Sequence, residues 1–206
     1  MSDVNRNGTK QRKDNPVFKI ILAGLAVVIV VFAIVVALRP GNFRIVRSAT
    51  IGAPPAVVFA QVNDFHKWRA WSPWEEKDPN LKRTYEGPAS GPGTVYGWIG
   101  NKEVGEGRMT LVESRPDELI RIRLEFFKPF AATNHTEFAF EPQGADHTRV
   151  TWAMTGKNGF MARAFCMFMD MDKLVGDDFE KGLAGMKMIA ERQTATATAA
   201  ATATAN

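Results

Sequence analysis

Few residues of this chain combine a reactive type with a telling position, and Asp172 is the first of them. Met161, Phe165, Phe168, Asp172, Val175 and Phe179 advance by four, three, four, three and four positions, so one helical stripe carries a carboxylate among apolar side chains. A carboxylate facing an apolar cavity is poorly hydrated and can serve as a general acid near neutral pH. The competing reading breaks the helix near Asp170 and lets Asp170 or Asp172 cap the second segment; aspartate is a preferred N-cap, which favours the cap. The next candidates are Asn134, His135 and Thr136, whose roles depend on which face of a strand each one takes. No metal or cofactor is expected. His66, His135 and His147 lack metal-ligand spacing, and Cys166, the single cysteine, can form neither an intrachain disulfide nor a thiolate cluster. The sequence contains no phosphate-binding loop, G-x-S-x-G elbow, H-E-x-x-H helix or EF-hand loop.

The elements that position these residues can be read from turns and alternation. Phe43 to Ile51 reads as a first strand, ended by Gly52-Ala53-Pro54-Pro55, which presets a helix start. A short helix follows, then a segment with Phe65, Trp68, Trp71 and Trp74 at helix-like spacing, broken at Ser72-Pro73. Recurrent Gly, Pro and Asp turns then separate six strands, near Lys82 to Glu86, Thr94 to Ile99, Gly105 to Ser114, Glu118 to Phe127, Ala132 to Pro142 and Thr148 to Thr155. Their short connections make them antiparallel neighbours. From Phe160 to Arg192 the period becomes helical, with one apolar stripe along the whole segment. The pattern is α+β: a curved antiparallel sheet of about seven strands wrapped around a long C-terminal helix.

Alternation also assigns the faces. Ile120, Ile122, Leu124 and Phe126 look inward, as do Met109 with Leu111, Phe138 with Phe140, and Val150 with Trp152 and Met154. Asn134 and Thr136 share the inward face, where each needs a partner from the protein, from water or from a ligand. His135 falls with Glu137 and Glu141 on the solvent face. The three tryptophans of the short helical segment form either a lid over a cavity mouth or plain core. Tyr96 and Trp98 share a face and extend the same lining, and methionine suits a wall that adapts to varied apolar shapes. The expected ligand-binding set is Trp68, Trp71, Trp98, Met109, Phe126, Asn134, Thr136, Phe138, Trp152, Met154, Met161 and Phe165. Gly176, Gly182 and Gly185 each cost the last helix about 1 kcal/mol against alanine, and close approach to the sheet is the simplest reason.

The ends of the chain have their own composition. From Ile20 to Leu38 no residue is charged, and about 19 helical residues at ~1.5 Å each nearly span a ~30 Å hydrocarbon core. Residues 1–16 read as a basic segment, 17–39 as a single-pass transmembrane helix, 43–193 as one folded domain and 194–206 as a disordered Thr/Ala tail with nothing bulky to bury. A signal peptide competes with the anchor, but the apolar run exceeds the usual ~7–15 residues. Arg6, Lys10, Arg12, Lys13 and Lys19 precede the run and Arg39, Arg44 and Arg47 follow it, a bias that places the domain outside the cytoplasm, on the periplasmic side of an inner membrane. The same cations account for the net charge of +4 without nucleic acid as a partner.

Several segments together resemble one family. Arg47-Ser48 with Ile51-Gly52-Ala53-Pro54-Pro55 and Val58-Phe59, Val62-Asn63-Asp64-Phe65, Trp71-Ser72-Pro73-Trp74-Glu75, Gly107-Arg108-Met109, Trp152-Ala153-Met154, and Phe168-Met169-Asp170-Met171-Asp172 followed by Phe179-Glu180-Lys181-Gly182-Leu183 are similar in wording and order to bacterial polyketide cyclase/dehydrase-type members of the START-like (SRPBCC) superfamily. The resemblance runs from about Phe43 to Arg192. It implies a helix-grip fold with a ligand cavity. It does not imply cyclase chemistry, because the superfamily includes lipid carriers, hormone receptors and allergens as well as enzymes. The leading expectation is therefore a membrane-anchored binding protein for an apolar, lipid-like or polycyclic molecule. The alternatives are a cyclase, dehydratase or hydrolase using Asp172, Asn134 or Thr136, and an interaction module without a small-molecule ligand.

Overall fold

The computed structural model describes residues 16–204. By its internal contacts the chain divides into two units, residues 1–39 and 40–206. The first contains α1 (Pro16–Leu38), 23 residues rich in Val, Ile, Leu and Ala, with its surface almost entirely exposed. By length and composition α1 can cross a membrane, a test that a secretory leader also passes. Arg6, Lys10, Arg12 and Lys13 of the expected basic segment lie outside the described residues.

The second unit is built on one seven-stranded antiparallel sheet. Its strands are β1 (Asn42–Ile51), β2 (Lys82–Glu86), β3 (Val95–Ile99), β4 (Glu106–Arg115), β5 (Leu119–Lys128), β6 (Ala132–Pro142) and β7 (Thr148–Lys157), in the order β1-β7-β6-β5-β4-β3-β2. Side-chain alternation decides the two faces. Leu111, Ile120, Ile122, Phe138, Phe140, Val150 and Trp152 are buried on the inner face, whereas Arg121, Arg123 and His135 are exposed on the outer one. There Arg121 bridges Glu113 at 2.7 Å and Glu137 at 2.8 Å.

Between β1 and β2 lie α2 (Pro55–Asn63), a 3₁₀ segment Phe65–Ala70 and α3 (Pro73–Lys77). Local chemistry sets each start. Pro55 opens α2, where its missing N–H costs nothing; the Asp64 carboxylate accepts from the His66 N–H at 2.9 Å; and Pro73, which interrupts the tryptophan segment, also begins α3. After β7 come α4 (Phe160–Phe165) and α5 (Met171–Thr204). A Cβ added at Gly182 would meet the Trp152 ring at 2.8 Å and Pro73 Cδ at 3.2 Å, and one at Gly176 would overlap the Arg47 guanidinium. These two glycines let α5 lie close against the inner face.

Two expectations about the C-terminal third are corrected. The helical stripe from Phe160 is not continuous: the chain breaks after α4, and Asp170 restarts it, its carboxylate accepting from the Lys173 N–H at 3.0 Å. The cap reading therefore holds, with Asp170 as the cap. The Thr/Ala tail, expected to be disordered from 194, continues α5 to Thr204. Alanine has the best helix propensity, extension of an existing helix needs no new nucleus, and threonine hydroxyls donate to carbonyls four residues back, as in Thr196 to Arg192 at 2.9 Å and Thr198 to Thr194 at 3.0 Å.

Candidate functional site

Between the inner face of the sheet and the first turns of α5 is a cavity of about 180 Å³. β3 contributes Tyr96 and Trp98, β4 Met109, β5 Leu124 and Phe126, β6 Thr136, and β7 Trp152 and Met154. The wall is completed by Trp68, Trp74, Leu81 and Val104 and by Val175, Asp178 and Phe179 of α5. Aromatic rings hold much of this wall in place. Trp152 stacks on Phe179 with centroids 4.1 Å apart and planes at 6°, Trp74 meets Trp152 edge-on at 5.8 Å, and Trp98 meets Phe126 the same way at 5.8 Å.

The structure sorts the expected residues into three groups. Trp68, Trp98, Met109, Phe126, Thr136, Trp152 and Met154 line the cavity. Trp71, Asn134 and Phe138 are buried but stand behind the lining. Trp71 donates its indole N–H to the Gln61 carbonyl at 3.2 Å, and the nearest partner of the Asn134 amide is the Met154 sulfur at 4.0 Å. Trp68 likewise donates to the Val62 carbonyl at 3.0 Å, so the tryptophan cluster belongs mainly to the core, with Trp68 and Trp74 also reaching the cavity. Met161, Phe165 and Asp172 lie elsewhere. Met161 and Phe165 are 68% and 53% exposed, because the break after α4 takes them off the stripe that α5 buries. The Asp172 side chain is 61% exposed and bridges Arg47 at 3.1 Å, which removes it as an acid facing the cavity.

Besides Thr136, the polar chemistry at the cavity comes from residues that the sequence did not single out. Arg83 of β2 donates from Nε to Glu75 Oε2 at 2.9 Å and also from Nη2 to that oxygen, while its Nη1 donates to the Leu81 carbonyl at 2.7 Å. Tyr96 Oη donates to Glu75 Oε1 at 3.1 Å. Hydrogen bonding to Glu75 raises the Arg83 guanidinium above its ordinary range. Burial first, and then the Glu75 charge, push the Tyr96 phenol upward, so it stays a neutral donor. Lys77 Nζ donates to Asp178 Oδ2 at 2.5 Å on the α5 side. One lining group has no protein partner: the Trp152 indole N–H is buried and makes no hydrogen bond. Such an orphan donor is uncommon in a packed interior, and a guest with an acceptor atom would satisfy it. The alternation of β2, which puts Arg83 and Tyr85 on one face, was the available signal for Arg83.

Among the described residues no cluster of His, Cys, Asp and Glu could hold a metal ion. The family described as polyketide cyclase / dehydrase and lipid transport matches residues 42–191. The chain belongs to this family. Proteins of solved structure share its fold at low identity. An aromatase/cyclase from Streptomyces sp. R1128 is 14% identical, with a TM-score of 0.55 over 74% of this chain and 96% of that one. A norcoclaurine synthase point mutant from Thalictrum, solved with a transition-state analogue, is 7% identical with a TM-score of 0.57 over 76% and 99%. A protein from Thermobifida fusca is 21% identical with a TM-score of 0.55 over 72% and 93%. No match was found among the curated proteins. At these identities the likeness carries the fold and leaves the ligand to be argued from the cavity itself.

Proposed function

We propose that this chain is a membrane-anchored binding protein that holds an apolar small molecule, lipid-like or polycyclic, in the helix-grip cavity. The observation that carries the reading is a largely apolar, aromatic-walled space of about 180 Å³ lined by Trp152, whose buried indole N–H has no partner. Apolar cavities of ~150 Å³ accept a benzene-sized guest, so this one suits a ring system or an acyl segment of roughly that size. Larger guests require the Met109 and Met154 side chains to shift, which unbranched thioethers do at low cost. Trp68, Trp98, Met109, Phe126, Thr136, Trp152 and Met154 make the contacts in this account, and Trp152 donates to an oxygen or nitrogen acceptor on the guest. The family's description, which joins polyketide chemistry to lipid transport, supports a guest of this kind. The helix α1 is the anchor, single-pass, with the domain on the extracytoplasmic side.

Native mass spectrometry of the full chain released from a mild detergent tests the reading. A bound apolar species is expected on the wild type, lost when Met109→Trp fills the space. Wild type and variant both emerging without any adduct, after incubation with a membrane lipid extract, would contradict it. Protease digestion of the chain in sealed inverted vesicles tests the topology: the domain should be protected, and cleavage without detergent would reverse the orientation.

A further inference from the structure

The two ends of the sheet differ in a way that neither the cavity nor the anchor explains. Strand pairing fixes which loops meet. Asn42 pairs with Lys157, Asn134 with Gly156, Phe126 with Ala132, Glu106 with Lys128 and Ile99 with Glu106, so the start of β1, the β3–β4 and β5–β6 connections and the exit from β7 share one end. The segment carrying α4 stays there, because the Asn158 N–H donates to the Gly41 carbonyl at 2.8 Å and the Asn158 amide lies 3.7 Å from the Cys166 sulfur. This end exposes large apolar side chains: Phe130 at 72%, Met161 at 68%, Ile99 at 55%, and Phe160, Phe165 and Met169 beside them. The opposite end is made of residues 52–54, 87–94, 116–118 and 143–147, and none of the large apolar side chains that the domain exposes lies in those connections. A cluster of exposed aromatic and methionine side chains at one end, against only the scattered Val112 and Met188 toward the other, marks an interaction surface.

The chain supplies the partner. Helix α1 ends at Leu38 and β1 begins at Asn42, and four peptide steps reach no more than about 14 Å. The connection is therefore short against the roughly 33 Å length of the ten residues of β1. We propose that this end of the domain docks on the lipid bilayer, its phenylalanine and methionine side chains entering the interface; the inference rests on α1 being the anchor. The cavity reaches the same end through Val104 of the β3–β4 connection and Val175 near the start of α5. Docking therefore lets an apolar guest pass between bilayer and cavity without crossing water. Charge here is mixed and leans positive, with Lys82, Lys102, Lys128, Lys157 and Arg163 against Glu103, Glu106 and Asp170, so the apolar side chains carry the contact and salt weakens it only in part.

Nitroxide labels on the full chain, in a Cys166→Ala background and phosphatidylcholine nanodiscs, test this. Ala131→Cys reports the rim without removing any apolar side chain, Ala145→Cys reports the opposite end, and Val28→Cys reports α1. The accessibility ratio of oxygen to a water-soluble nickel chelate should be at least threefold higher at 131 than at 145, at 50 mM and at 500 mM salt. It should fall to the level of 145 when Phe130, Met161 and Phe165 are replaced together by serine. A high ratio at 28 with equal ratios at 131 and 145 overturns the docking and leaves the anchor standing. A low ratio at 28 overturns both. Poor access of both reagents at 131 also overturns the docking, because it means that protein, such as a second copy, covers the rim. A high ratio at 131 that persists in the serine variant refutes the apolar mechanism.

Discussion

The interior of this domain has two halves built on the same sheet. Where α2 and the middle of α5 cover it, Val58, Val62, Leu111, Ile120, Leu183 and Met186 are fully buried and interlock. Where α3 and the first turns of α5 cover it, Trp98, Met109, Leu124, Phe126, Met154 and Val175 surround a space. Both halves are apolar and both alternate along their strands, so hydrophobicity does not distinguish them. The difference lies in the covering elements and in side-chain volume. α3 is only five residues long, and the guanidinium and carboxylate of Arg83 and Glu75 hold its chain beside the cavity where a longer helix would fill it. The packed half supplies stability, and the open half trades part of that stability for room.

Substitutions can break this contrast. Phe140→Ala in the packed half, where the ring meets Phe59 edge-on at 5.5 Å, should cost about 3–5 kcal/mol in denaturant unfolding; Phe126→Ala at the cavity wall should cost about half as much, since its ring already has neighbours missing. Equal costs would erase the distinction. Arg83→Ala leaves the Glu75 carboxylate without its cation in a largely buried place, and a loss near 3 kcal/mol is expected, with Glu75→Gln/Arg83→Gln recovering part of it. Met109→Trp should be nearly neutral in stability, within about 1.5 kcal/mol, because the new ring enters existing space, yet should lower affinity for an apolar probe more than tenfold. Tyr96 gives a pH signature. Its phenol is raised in the folded state, so its contribution is complete below the ordinary value of about 10 and fades as pH rises beyond it, and Tyr96→Phe should flatten the alkaline limb of the stability profile above about pH 10. Smallest of all, Asp172→Asn should leave probe affinity unchanged, since it meets only Arg47 and Glu180 shares that arginine. A clear loss of binding there would reopen the assignment of the site.

The fold was legible because its strands announce themselves twice, by turn residues at their ends and by alternation along their length. β2 and β6 fall at the expected bounds, and the inward set from Ile120 to Phe126 was readable from the sequence. The C-terminal third was less legible. Met161, Phe165 and Phe168 continue the three-four spacing of α5 by composition alone, and nothing in that rhythm marks the break; the signal was Asp170, whose capping power competes with the stripe. The tail was misread because burial alone was weighed, without alanine's own preference for helix. Alternation along β2 marks the face of Arg83, but its pairing with Glu75 escaped notice because a charge pair joining a short helix to an edge strand is set by tertiary packing, which periodicity does not encode.

The central claim is that the open half accepts a guest and the packed half does not, and methionine methyl resonances report both at once. In the full chain labelled with ¹³C-methyl methionine and kept in a mild detergent, naphthalene should shift the Met109 and Met154 signals saturably, while Met186 in the packed half stays fixed. Met109 and Met154 remaining still up to the solubility limit of naphthalene, or Met186 moving with them, would contradict the account.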